Sequence, residues 1–238
     1  MILKNQVAII TGASSGIGES VARILNKAGM SLILTARREE RLKKLSSELS
    51  ETVYIAEDIT EPSLPQRLID MAVETFGRCD VVFNNAGILE TGPIETIDIE
   101  KVCLMVRINV EAAFRMAYTA MKYFKKQNYG FLINTSSVIG TKTLPRSGAY
   151  GGTKFALEAL TESLRMELAK TNIRVTCIEP ALVDTELNEN RKVNPIKALG
   201  IKEPLRGKDI AGCVLWILEQ PDHIRIPKLL VIPGEQEI

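Results

Sequence analysis

Val7-Ala8-Ile9-Ile10-Thr11-Gly12-Ala13-Ser14-Ser15-Gly16-Ile17-Gly18 is the stretch whose reading decides the fold. Residues 7–10 are apolar and mostly β-branched, the composition of a strand buried on both faces. Glycines follow at 12, 16 and 18, and then an amphipathic run over 19–27. The order is strand, glycine turn, helix start. Missing side chains at Gly12, Gly16 and Gly18 let backbone approach an anionic group closely, and the free N–H groups that open a helix supply donors and a favourable dipole. The spacing Gly-x3-Gly-x-Gly differs from the commoner Gly-x-Gly-x2-Gly, so by itself it fits either a dinucleotide cradle or a plain tight turn.

Short apolar runs recur downstream at 32–34, 53–56, 81–83, 131–133, 175–178 and 229–232. Between them lie longer segments with helical spacing, clearest in Leu157, Leu160, Leu164 and Leu168. Alternating strand and helix predicts right-handed crossovers and an α/β fold: a doubly wound parallel sheet of about seven strands, with helices on both faces. The ligand crevice of such a sheet lies beyond the carboxyl ends of its strands. At 238 residues and 45% hydrophobic, the chain is expected to form one domain over residues 1–238. The polar segment 187–207, which contains Pro195 and Pro204, is expected to be a substrate loop or a set of short helices.

Thirty basic and 29 acidic residues leave a formal charge of +1, which provides no field to gather nucleic acid or a membrane surface. A small-molecule substrate and copies of the same chain are the expected partners. Cys79, Cys103, Cys177 and Cys213 lie far apart without metal or redox spacing, so reduced, mostly buried thiols and no metal are expected. The first strand follows Met1 almost directly, leaving no room for a signal peptide, and no apolar run reaches membrane-spanning length; the expected location is the cytoplasm. Asn134-Thr135-Ser136 spells a glycosylation acceptor, but at the end of a predicted strand that match is coincidental.

The same opening letters hold a rival. Gly12-Ala13-Ser14-Ser15-Gly16 also spells Gly-x-Ser-x-Gly, the nucleophile elbow of serine hydrolases, with Ser14 as nucleophile. That chemistry needs an oxyanion loop from an earlier strand and a downstream histidine. Only eleven residues precede Gly12, and the one histidine, His223, sits beside Pro221 and Asp222 in an expected surface loop.

Tyr150 and Lys154 are four apart at the start of the leucine-spaced helix, which puts both on one face. An isolated tyrosine titrates near about 10, and a neighbouring ammonium favours its phenolate. Ser136 and Ser137 end the strand over 131–135, at the edge where ligands bind. From position alone, either serine could act on a ligand or close a turn.

These residues together resemble the ordered motifs of the short-chain dehydrogenase/reductase family. The set comprises Thr11-Gly12-x3-Gly16-x-Gly18, Asn84-Asn85-Ala86-Gly87, a serine thirteen residues before Tyr150, Tyr150-x3-Lys154, Pro180 and Thr185, and it covers nearly the whole chain. The resemblance implies a Rossmann-type sheet and an oxidoreductase that moves hydride between nicotinamide and a carbonyl or alcohol carbon. It makes Ser137 the donor to the substrate oxygen and Tyr150 the acid in reduction and base in oxidation. Lys154 is then the residue that binds the nicotinamide ribose and lowers the tyrosine pKa, and Asn109 the helix asparagine that holds a relay water. Gly12, Ser14, Ser15, Gly16, Ile17 and Gly18 would form the pyrophosphate turn. By the same likeness Asp58 and Ile59 meet the adenine, Asn85, Ala86 and Gly87 line the adenosine side, and Pro180, Val183 and Thr185 take the carboxamide side. A homotetramer or homodimer is the implied assembly, through helices equivalent to 112–126 and 150–170. Residues 178–183 and 226–233 are also similar to relatives acting on serine and other 3-hydroxy acids.

Cofactor choice is read at the end of the second strand, where NAD-preferring relatives carry a ribose-binding acid and this chain has Ala36. Arg37 and Arg38 follow, and a guanidinium fork suits a 2′-phosphate in charge and geometry. NADP(H) is therefore the expected cofactor. The expected pocket has Ser137 and Tyr150 as floor, Leu89 and Leu144 as walls and the segment 187–205 as lid, an apolar lining favouring an aliphatic or aromatic carbonyl. The competing readings are an NADP-sensing regulatory protein without turnover, a non-redox member of the family, and the Ser14 hydrolase.

Overall fold

The computed structural model describes residues 3–189 and 194–237. Seven parallel strands form one sheet: β1 (Val7–Thr11), β2 (Ser31–Ala36), β3 (Thr52–Ala56), β4 (Val81–Asn84), β5 (Gly130–Thr135), β6 (Ile173–Pro180) and a last strand over Lys228–Val231. Their order across the sheet is β3-β2-β1-β4-β5-β6 and then the last strand, so the chain reverses direction of growth between β1 and β4. All seven expected runs are strands; six are extended by one or two residues at one or both ends, where polar side chains such as Thr11, Asn84 and Thr135 finish the ladder, and the last runs over Lys228–Val231, leaving Ile232 outside.

Helices cover both faces. On one side α1 (Gly16–Lys27), α2 (Glu39–Glu48) and a late helix over Gly207–Glu219 pack Val21, Leu25, Leu42 and Val214 against Ile10, Leu32 and Phe83 of the sheet. On the other, α3 (Leu64–Phe76), α5 (Ala113–Gln127) and α6 (Gly148–Glu167) pack Leu68, Met116, Phe124 and Leu164 against Ile9, Val82 and Leu132, and α4 (Ile99–Val106) leads into α5. Strand side chains alternate between these two cores, which is why every strand reads as a continuous apolar run. Leu157, Leu160, Leu164 and Leu168 are all buried, as their spacing predicts.

The 187–207 segment resolves into short pieces: α7 (Glu186–Glu189), α8 (Pro195–Ala198) and β8 (Leu205–Arg206), which pairs in parallel with β7 (Val183–Asp184). Part of the expected loop, residues 190–193, lies outside the described residues. The helix over Gly207–Glu219 is then α9 and the last strand β9. All four cysteines are free; Cys79 and Cys177 are buried and Cys213 is half-buried, but Cys103 is exposed on α4, so the expectation of mostly buried thiols holds for only part of the set. Among the described residues no helix is long and apolar enough to cross a membrane.

Candidate active site

Because all the strands run in parallel, the residues that follow each one gather at a single edge. There the ends of β1, β2, β3 and β4 border a groove of about 370 Å³. Gly12 and Gly16 hold φ of +67° and +58°, in the left-handed region where a side chain is strained. A Cβ on Gly12 would also lie 3.0 Å from Ala86 Cα. Gly18 is not among the residues lining the groove, and a Cβ there would stand 2.3 Å from the Gly12 carbonyl oxygen; its absence lets α1 seat against the turn. Thr11, fully buried, fixes the opposite wall: its Oγ1 accepts the backbone N–H groups of Asn85 and Ala86, both at 2.9 Å.

Ser14, Ser15, Gly16, Ile17, Arg37, Arg38, Asp58, Ile59, Asn85, Ala86, Gly87 and Thr185, named from the sequence, line this groove together with Gly12. Asp58 Oδ1 accepts from the Thr60 backbone at 2.9 Å and the Thr60 hydroxyl at 2.7 Å; the backbone bond above all holds its carboxyl below the usual range. Arg38 braces the turn, donating from Nε to Ser14 Oγ at 3.1 Å and from Nη2 to Ser15 Oγ at 2.5 Å. Its Nη1 reaches Glu186 Oε2 at 2.5 Å, while Arg41 Nη1 takes Glu186 Oε1. Those bonds, Arg38's first, hold the Glu186 carboxyl down to about 2. Arg37 lies on the same wall.

Asn109, Ser137, Tyr150, Lys154, Pro180 and Val183 stand outside the lining of that groove, farther along the same edge. Tyr150 and Lys154 share a face of α6, with Nζ 5.7 Å from the tyrosine ring centre. Nζ donates to the Thr135 carbonyl at 2.8 Å, and burial pulls the ammonium down to about 8. Ser137 caps a single 3₁₀ turn over Val138–Gly140, its Oγ accepting from Ile139 N at 3.3 Å. Ser136 is packed inward: its hydroxyl donates to the Lys154 carbonyl at 3.5 Å, and a Cβ on Gly140 would meet its Oγ at 2.4 Å. Geometry thus separates two serines that position alone left equivalent. Asn109 lies in a π-helical turn, Arg107–Ala112, between α4 and α5. Its Oδ1 accepts from Ile88 N and its Nδ2 donates to Ile88 O, both at 2.9 Å, and to Thr153 Oγ1 at 3.2 Å. Leu89 is half-buried and Leu144 is exposed.

One helical turn beyond Lys154, Glu158 heads a buried polar cluster that composition did not announce. Cys177 donates to Glu158 Oε1 at 3.1 Å, Lys228 pairs with Oε2 at 2.9 Å, and Glu179 stands beside them with one oxygen lacking a hydrogen bond. Burial first, and then the Glu158 charge, push Glu179 up to about 7.

The hydrolase reading finds no base. Ser14 is engaged with Arg38 at the carboxyl edge, whereas His223 is exposed in the α9–β9 loop, which leads into the amino end of β9. Asn134 is fully buried and bonded to Asn84 and Thr161, so its sequon cannot be glycosylated in the folded chain.

Residues 6–195 match the family described as short chain dehydrogenase. An uncharacterised oxidoreductase of Staphylococcus epidermidis is 33% identical over 232 residues, covering 97% of this chain and 98% of that protein. Among solved structures, the closed form of a serine dehydrogenase complexed with NADP+ superposes with a TM-score of 0.92 at 28% identity, covering 98% of this chain and 97% of that one. A 3-ketoacyl-(acyl-carrier-protein) reductase from Brucella melitensis, complexed with NADH, gives a TM-score of 0.88 at 26% identity, covering 98% and 99%.

Proposed function

The chain belongs to the short-chain dehydrogenase family, and from that footing we propose that it is an NADP(H)-dependent oxidoreductase interconverting a carbonyl and an alcohol at Ser137, Tyr150 and Lys154. The observation that carries this reading is the Tyr150–Lys154 pair on one face of α6, the lysine drawn to the sheet edge by the Thr135 carbonyl.

The residues fit a dinucleotide. Glycines with positive φ and the start of α1 offer backbone donors to a pyrophosphate; Asp58, Ile59 and the Asn85–Gly87 backbone frame the adenosine side. Ala36 supplies no acid for a ribose, and Arg37 and Arg38 supply positive charge for a 2′-phosphate. Lys154, Pro180, Val183 and Thr185 would hold the nicotinamide half. When bound, the cofactor gives or takes the hydride.

The protein's own groups handle the proton and the oxygen. Ser137 uses one lone pair on Ile139 N and keeps its hydrogen for the substrate oxygen. Tyr150 delivers the proton in reduction and removes it in oxidation, and the nearby ammonium favours the phenolate. Both polar ends of the Asn109 side chain are committed to Ile88 and Thr153, so the relay water falls to the main chain of the widened π turn. The likeness to a serine dehydrogenase puts small 3-hydroxy acids beside aliphatic and aromatic carbonyls as the first substrates to try. Tyr118 on α5 and Phe155 and Met166 on α6 are exposed, which supports the homotetramer or homodimer that the family implies.

Kinetic constants with both cofactors test the assignment. NADP(H) is expected to be preferred, and Arg37→Asp to reverse the preference, a lost charged hydrogen bond being worth roughly 10- to 150-fold. Equal constants for the two cofactors in the unmutated protein defeat it.

A further inference from the structure

Glu186 sits where a phosphate is wanted. It opens the four-residue α7 and reaches Arg38 across 148 positions of sequence. Its two oxygens are divided between Arg38 and Arg41, each at 2.5 Å. The same Arg38 braces Ser14 and Ser15, and Glu186 borders the groove beside Arg37 and Thr185. A guanidinium presents one fork to carboxylate and phosphate alike, so a carboxylate seated there occupies donors that a 2′-phosphate would use. Two anions at contact distance also repel, and this carboxyl, held near 2, stays ionised throughout the physiological range.

We propose that Glu186 is a cofactor-specificity residue, an internal stand-in for the 2′-phosphate that holds Arg38 and Arg41 and is displaced when NADP(H) binds. This rests on the NADP(H) reading above and deepens it. Displacement detaches α7 from the groove wall, and α7 is the first turn of the segment that leads to α8 and β8. The far end of the cofactor is thereby linked to the chain that follows Thr185. NAD(H) has no 2′-phosphate to compete, so it leaves Glu186 seated. The preference for NADP(H) is then the difference between what the phosphate gains and what Glu186 gives up.

The test is calorimetric binding of NADP+ and NAD+ to the unmutated protein and to Glu186→Gln, with amide exchange over residues 183–189 as a second readout. Glu186→Gln is expected to tighten NADP+ binding roughly 3- to 10-fold, the scale of two exposed ion pairs, and to leave NAD+ within about 2-fold. In the unmutated protein, adenosine 2′,5′-bisphosphate is expected to speed exchange over 183–189, and adenosine 5′-monophosphate is not. Weaker NADP+ binding by Glu186→Gln would make the residue a clasp over bound phosphate and overturn the proposal; unchanged affinity would overturn it too. Equal affinity of the unmutated protein for NADP+ and NAD+ would instead strike at the cofactor assignment itself, a result distinguishable from a clear NADP+ preference that ignores Glu186.

Discussion

Thr11→Val removes one oxygen and keeps the shape of the side chain, which isolates what that oxygen does. Thr11 is fully buried at the end of β1, and its Oγ1 accepts two backbone N–H groups, from Asn85 and Ala86 at 2.9 Å each. Valine leaves both donors facing a methyl group. A buried donor stripped of its partner costs about 1–3 kcal/mol. Two of them would cost about 2–6 kcal/mol if the wall stayed in place, less whatever the loop after β4 regains by shifting toward water. The Asn85 side chain limits that shift, since Nδ2 donates to the Thr11 carbonyl at 3.1 Å and Oδ1 accepts from Thr135 at 3.3 Å. The expected result is a loss of about 2–4 kcal/mol in urea unfolding, with cofactor binding weakened about 5- to 50-fold because the adenosine wall is displaced. A loss below about 0.5 kcal/mol with unchanged cofactor affinity would refute the claim that one hydroxyl fixes that wall.

Other residues give independent expectations. Lys154→Met should weaken NADP+ binding and move the rising limb of the oxidation rate to higher pH, because it removes both a ribose contact and the charge that favours phenolate; an unmoved limb in a pH–rate series would count against the pairing. Glu179 is raised to about 7, so the folded chain holds a proton there that the unfolded chain has lost above its ordinary value. Its favourable contribution is complete below about pH 4.5 and is lost as pH rises through about 7, at up to about 1.4 kcal/mol per pH unit. Urea unfolding should therefore show Glu179→Gln gaining on the unmutated protein across that window, and a constant difference would disprove the shift. Gly18→Ala places a Cβ 2.3 Å from the Gly12 carbonyl and should destabilise by about 1–3 kcal/mol in the same assay.

The sheet was legible because burial on both faces writes each strand as an apolar run, and the leucine spacing of α6 carries its buried face openly. The groove at the ends of β1 to β4 was legible for a related reason: parallel strands bring the residue after each run to one edge, so Gly12, Arg37, Asp58 and Asn85 could be placed together without knowing their contacts. What stayed hidden depends on pairings between distant segments. Thr11 meets Asn85 across 74 positions and Arg38 meets Glu186 across 148, and neither partner announces the other in sequence. The π turn at Asn109 has no compositional sign, since residues 107–112 suit an ordinary helix equally well. Glu158 reads as a polar position on α6, yet Cys177 and Lys228 reach it from β6 and β9.

The central claim is that Tyr150 is the proton donor of a working reductase. The direct measurement is loss of NADPH absorbance with a panel of aliphatic, aromatic and 3-oxo acid carbonyls, run side by side on the unmutated protein and Tyr150→Phe. The account predicts steady turnover by the first, and by the second a kcat lower by about 10²- to 10⁴-fold with NADPH binding nearly intact, since the ring still packs and only the acid is lost. Tight NADPH binding without turnover in the unmutated protein, or near-full activity in Tyr150→Phe, would contradict it.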